Sequence, residues 1–206
     1  MTFVKRLLSV SLLTAALMIG LTGQANAQLG VAAGLNFDEL GDVSGNRSAT
    51  FENSTGYHFG VFFDTESRPL AFRIGAYYRD MGDVEVDLGG LGDIFDLSLL
   101  DVAIDVRMTV LPTPVISPFV SAGPVVSFPS SSNEEFKDSM ESKSLSGNVG
   151  AGLAISLGGM TLTPELRYNI GVSRFLKDEF SIRGVDFTTD ELQRQNSVML
   201  RLGLVF

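Results

Sequence analysis

Eight runs of alternating apolar and polar residues occupy most of the chain beyond residue 28. The clearest is Leu100 to Val110. Leu100, Val102, Ile104, Val106, Met108 and Val110 share one parity, and Asp101, Ala103, Asp105, Arg107 and Thr109 the other. Side chains on a strand point alternately to its two faces, so this run predicts a strand with one apolar and one polar side. The other runs are Leu29 to Phe37, Tyr57 to Thr65, Leu70 to Arg79, Ile116 to Phe128, Leu145 to Leu157, Met160 to Ser173, and a last one from Gln195 to Phe206. In the last, Val198, Leu200, Leu202, Leu204 and Phe206 fall on one face.

The segments between the runs alternate in length. Glu66 to Pro69, Leu111 to Pro114 and Gly158-Gly159 are short; Asp38 to Gly56, Asp80 to Leu99, Pro129 to Ser144 and Arg174 to Asn196 are long. Apolar-out, polar-in strands of about ten residues, joined alternately by short turns and long loops, are the pattern of a membrane barrel. The expected fold is all-β: an eight-stranded antiparallel up-and-down transmembrane β-barrel, with the termini on the short-turn side. A soluble barrel would carry its charges outside and its apolar residues inside. Here the uniform Leu, Val, Ile and Phe parity suits lipid. Pro118, Pro124 and Pro164 fall inside runs, on the apolar parity, where each removes a ladder hydrogen bond, so bulges or shifted strand ends are expected there.

The ends agree with this reading. Lys5 and Arg6 precede the apolar stretch Leu7 to Leu21, and Ala25-Asn26-Ala27 has the small-x-small form of a cleavage site. Residues 1–27 are expected to be a signal peptide cut after Ala27, and 28–206 a single barrel domain. The apolar stretch is short of the roughly 20 residues a spanning helix needs. Phe206 forms an aromatic carboxy-terminal signature like that of a closing outer-membrane strand. The expected location is therefore the outer membrane of a Gram-negative-type bacterium.

Composition removes several chemistries. The 206-residue chain has no cysteine, which excludes disulfides and thiolate catalysis, and its formal charge of −9 disfavours nucleic acid as a partner. Losing Lys5 and Arg6 makes the exported part more acidic still. The Asp80 to Asp96 segment carries six carboxylates and no cation, but its spacing matches no EF-hand, and a solvated acidic loop is expected. No metal, cofactor or catalytic residue is assigned. His58 is the only histidine; it starts the second run, at the outer end, and no G-x-S-x-G frame accompanies it.

The polar parity collects the charges. Arg73, Arg79, Arg107, Arg167 and Arg201 oppose Asp64, Asp101, Asp105 and Glu165. An eight-stranded barrel is just wide enough for side chains to fill its interior, so these residues are expected to form a barrel-interior polar network that plugs it. The alternative is a narrow path for ions or small solutes. Glycines 30, 34, 60, 75, 123, 150, 152, 171 and 203 share the parity and are expected to make room for the arginines. Tyr57, Tyr78, Phe128, Tyr168, Phe175 and Phe206 lie near strand ends, as interfacial aromatics would. The segment 174–196 is expected to extend the strands as a hairpin or to contact a partner.

With the strands laid out, the chain resembles the PorT-like outer-membrane β-barrel family. The matching pieces are Val31 to Phe37, Gly56 to Phe62, Pro118 to Pro124, Arg167 to Val172 and the terminal Phe206. The resemblance implies an integral outer-membrane protein, and proline at 118 and 124 accords with it. The expected function is non-enzymatic: action through the external loops, or as an envelope assembly and interaction partner. A narrow pore is the alternative, and a lipid-modifying enzyme using His58 a third. The expected partners are outer-membrane lipid, the barrel assembly machinery and an envelope protein.

Overall fold

The computed structural model describes residues 27–41, 50–51, 53–65, 69–87, 92–182, 185–188 and 193–206. Residues 1–26 of the expected signal segment lie outside them. Eight strands form the barrel: β1 (Ala27–Leu40), β3 (Ser54–Thr65), β4 (Leu70–Asp87), β5 (Gly92–Thr109), β6 (Ile116–Ser130), β7 (Ser144–Ser156), β8 (Thr161–Gly171) and β11 (Gln195–Val205). Each pairs antiparallel with its neighbours in sequence, and β1 pairs with β11, which closes the ring. Closure leaves no sheet edge, as a structure surrounded by hydrocarbon requires. A two-residue strand β2 (Thr50–Phe51) adds to the end of β4, and β9 (Glu179–Ile182) with β10 (Val185–Thr188) makes a separate hairpin. A short helix, α1 (Glu134–Ser139), follows β6; Asn133 caps it, its Oδ1 accepting from Phe136 N–H at 3.1 Å.

Burial is inverted relative to a water-soluble protein. On β3, Phe63 is 57% exposed while its neighbour Asp64 is 5% exposed. Along β5, Leu100, Val102, Ile104, Val106 and Met108 are exposed, and Asp101, Ala103 and Asp105 are buried. The apolar belt continues on every barrel strand, far beyond the few hundred Å² of contiguous apolar surface that a soluble monomer tolerates. Lipid is the solvent that such a belt fits.

The segment Asp80–Leu99 corrects the expectation of a loop. Its two sides continue β4 and β5 as a paired hairpin, with Leu99 opposite Arg79 and Asp83 opposite Asp96. Eighteen residues at ~3.3 Å rise and ~40° tilt reach roughly 45 Å in height, well beyond the ~25 Å apolar band of such barrels. Gly82, at φ 72°, sits in the register shift between Asp80 and Asp83. The faces exchange character at this level. Above Tyr78 and Leu100 the outward positions become Asp80, Ser98 and Asp96, and the inward ones Met81, Leu99, Leu97 and Phe95. The alternation persists while its polarity reverses, because the strands have left lipid for water.

The prolines are accommodated without a bulge, which corrects the expectation of bulges there. The β5–β6 ladder omits Ile104 and Asp105 opposite Pro124 and Gly123, then resumes in the same register. The β7–β8 ladder does the same around Pro164, which stays paired with Leu202 of β11. Pro118 lies where β6 begins, and its carbonyl accepts from Val110 N–H at 2.9 Å.

Candidate functional site

The inner face holds a chain of charges of alternating sign. Asp64 Oδ2 accepts from Arg107 and, at 2.8 Å, from Arg73. Arg73 reaches Glu165 at 3.3 Å, Glu165 accepts from Arg167 Nε at 3.1 Å, and Arg167 ends on Asp105. Ser121 donates to Glu165 at 2.7 Å and Asn148 to Asp105 at 2.8 Å, so both carboxylates carry hydrogen bonds besides their ion pairs. These residues come from β3, β4, β5, β6, β7 and β8, and strand parity alone turns all of them inward. Asp64, Arg73, Asp105, Glu165 and Arg167 are each 5% exposed or less, and Arg107 is the partial exception.

A second group sits nearer the outer end. Arg79 is held between Asp38 at 2.8 Å and Asp101 at 2.9 Å. The sequence pattern assigns Asp38 to a loop. It is instead 2% exposed within β1, whose pairing with β11 runs on to Leu40. The polarity reversal at Glu39-Leu40, polar outward and apolar inward, hides it, because the apolar parity stops at Phe37.

Arg201 makes no ion pair among the described residues. Its guanidinium lies 4.0 Å from the centre of the Tyr77 ring, and its Nε donates to His58 Nε2 at 3.4 Å. Accepting there puts the imidazole proton on Nδ1. Among the described residues the arginines 73, 79, 107, 167 and 201 face Asp38, Asp64, Asp101, Asp105 and Glu165, five against five. A neutral interior is what a site with no bound counter-ion needs, since isolated buried charge is costly.

The inward glycines serve rings more than arginines. A Cβ at Gly30 would stand 2.3 Å from Phe62 Cζ, and one at Gly75 would stand 2.5 Å from the Tyr77 hydroxyl. Arg73 then rests on Phe62 at 4.1 Å and Arg107 on Phe119 at 4.0 Å. The rings act as shelves that fix the guanidinium planes. Phe119 escapes the sequence reading, although its parity with Ser117 and Ser121 is the available signal.

The outer mouth is closed by an apolar cap. Met81, Phe95, Leu97 and Leu99 point inward from the hairpin, and Phe136 of α1 stacks on Phe95 at 4.6 Å. Met140 and Leu176 form an isolated bridge, and Phe175 N–H donates to the Gln193 carbonyl. Phe175 is 0% exposed, so it belongs to the cap and not to the interfacial ring of aromatics expected for it. Tyr57, Tyr78, Phe128, Tyr168 and Phe206 do lie on the exposed face. His58 lies four residues into β3, beneath this cap and 1% exposed, and so is not a rim residue. Phe206 closes the chain with its N–H on Leu29 O at 2.9 Å, and Ala27 opens β1 opposite Thr65.

The short-turn end differs. There the lumen opens into a polar cavity of about 440 Å³ whose floor is Arg107 and Asp64. Among the described residues no His, Cys, Asp and Glu cluster suited to a metal is found.

A closed eight-stranded antiparallel barrel with a salt-bridged interior and an apolar exterior defines a membrane β-barrel. Solved structures similar to it include small bacterial barrels. Neisserial surface protein A aligns with a TM-score of 0.54 and 12% identity, over 86% of this chain and 95% of that one. Ail of Yersinia pestis aligns at TM-score 0.44 and 12% identity, over 87% and 99%. A major outer membrane protein from Thermus thermophilus aligns at 0.42 and 15%, over 88% and 98%. No family model and no curated protein sequence matches the chain.

Proposed function

We propose that this chain is a non-enzymatic outer-membrane protein: a sealed barrel that presents its outer hairpins to the cell exterior and acts through contact with an envelope or surface partner. The observation that carries the reading is the double closure of the lumen. The charge chain fills the membrane-embedded section, and the Phe95–Phe136 cap covers the section outside it. A path for ions would have to separate these buried ion pairs and leave their charges uncompensated. The pore alternative is disfavoured on that ground. The His58 enzyme is disfavoured because the imidazole lies under the cap with Nε2 engaged by Arg201. The resemblance to PorT-like proteins rests on the short motifs quoted above.

The test has two arms. Purified protein in planar bilayers should give no resolved conductance steps, and photo-crosslinkers placed at Asp96 and Asp138 in intact cells should capture a discrete partner. Steady conductance that Arg107→Ala alters would overturn the sealed-barrel reading. Absence of any crosslinked product from the outer sites would overturn the contact role.

A further inference from the structure

The charge chain has two unlike ends. Asp105, at one end, is enclosed by Arg167 and Asn148. Arg107, at the other, faces the cavity of the short-turn end, and its side chain is 12% exposed against 1% for Arg73 and Arg167. Its one carboxylate partner among the described residues is Asp64, and the same Oδ2 atom also serves Arg73. One Asp64 oxygen therefore serves two guanidiniums, its Oδ1 has no hydrogen-bond partner, and Arg107 and Asp64 together line the opening. The centre of the Phe119 ring lies 4.0 Å from the Arg107 guanidinium carbon and supports it from one side.

The walls suit a ligand with further hydrogen-bonding groups. All eight barrel strands contribute to the cavity, and the hydroxyls of Thr109, Ser156 and Thr161 ring it. Thr163 is 1% exposed in the same wall, and its Oγ1 has no hydrogen-bond partner. A volume of about 440 Å³ lies within the range of small-molecule sites. Since short turns and both termini mark the periplasmic side of such barrels, the cavity opens to the periplasm.

We propose that this cavity is a periplasmic binding cup for a carboxylate flanked by polar groups, held by the Arg107 fork and the surrounding hydroxyls. A peptide carboxyl terminus and a sugar acid both offer this chemistry. A planar guanidinium matches a carboxylate in two parallel hydrogen bonds, which a point charge cannot do. An incoming carboxylate gives the Arg107 guanidinium a second acceptor beside Asp64, and nothing in the outer cap needs to move.

The test is a titration of the isotope-labelled full chain, folded in lipid nanodiscs and followed by amide NMR. The probes are acetyl-Ala-Ala with a free carboxyl terminus, the same dipeptide amide, and glucuronate. The amides of Thr109, Ser156 and Thr161 should move with the free carboxylates and not with the amide. Whichever carboxylate binds at least about tenfold more tightly identifies the source. Arg107→Gln should weaken binding by about tenfold or more. Thr161→Leu, which fills the cup and leaves every ion pair intact, should abolish it while the rest of the spectrum stays unchanged. Equal responses to the amide and the acid, or no response to any probe in a folded sample, would overturn the proposal. The readout is independent of conductance and of outer partners.

Discussion

Replacing Glu165 by Gln removes the centre of the charge chain at almost constant volume. Glu165 is 4% exposed and serves Arg73 at 3.3 Å, Arg167 at 3.1 Å and Ser121 at 2.7 Å. Without its charge, Arg73 keeps only the Asp64 oxygen that Arg107 also uses, and Arg167 keeps only Asp105. The interior goes from neutral to one net positive charge. Removing one partner of a buried ion pair costs about 3–5 kcal/mol, and because all three neighbours are buried no solvent screening reduces this. The Gln amide can still accept from Ser121, so the lower half of the range, about 3 kcal/mol, is the expected loss. Urea unfolding of the refolded protein in detergent micelles, followed by circular dichroism or by gel mobility, measures it. The double variant Glu165→Gln with Arg167→Gln restores neutrality, so it should cost less than the sum of the single changes, with a coupling of about 1–3 kcal/mol. A Glu165→Gln protein within about 0.5 kcal/mol of the parent, or strict additivity in the cycle, would refute the chain as an energetic unit.

Gly75→Val should destabilise by about 1–3 kcal/mol or more, because its Cβ meets the Tyr77 hydroxyl; the paired change Gly75→Val with Tyr77→Ala should recover part of that loss in the same unfolding assay. Phe136→Ala should cost about 3–5 kcal/mol locally and speed hydrogen exchange over α1 and the Phe95 region while the lumen amides stay protected. The Asp96 carboxyl, outside the membrane, is held below the usual carboxylate range chiefly by the hydroxyl hydrogen bond from Ser132, with a second from the Ser132 N–H at 3.1 Å. A lowered folded pKa means the staple is at full strength above the ordinary carboxylate value of about 3.9 and is lost as pH falls through the lower folded value. Limited proteolysis at 131–133 should therefore accelerate on acidification, and Asp96→Asn should remove that pH dependence.

The strands are legible because a lipid-facing belt and a polar lumen force strict period-two alternation, as in Leu100 to Val110. What escapes lies where the solvent changes. Phe95, Leu97 and Leu99 alternate as regularly as Val102, Ile104 and Val106, but on the opposite parity, so a search for one continuous apolar face ends at Leu100. The same reversal conceals Asp38, whereas the cap residue Phe175 lies in a bend beyond β8 where no strand parity applies. The inward charges Asp64, Arg73, Arg79, Asp101, Asp105, Arg107, Glu165, Arg167 and Arg201 are readable as a set from parity. Their partners are not, since which guanidinium meets which carboxylate depends on strand stagger around the ring. The role of the glycines is also hidden: parity shows that they face inward, and only the packing shows that Phe62 and Tyr77 fill the space they leave.

The most direct test of the account is a scan of β5 with single cysteines, which the cysteine-free chain allows without background. Each position from Asp96 to Met108 would carry a fluorophore, in vesicles, with quenching by brominated lipid and by aqueous iodide compared. The account predicts lipid quenching at Leu100, Val102, Ile104, Val106 and Met108, none at Asp101, Ala103 and Asp105, and iodide quenching at Asp96 and Ser98 with Leu97 and Leu99 shielded. Lipid quenching at Asp101 and Asp105, or one unbroken apolar parity from Asp96 to Met108, would contradict it.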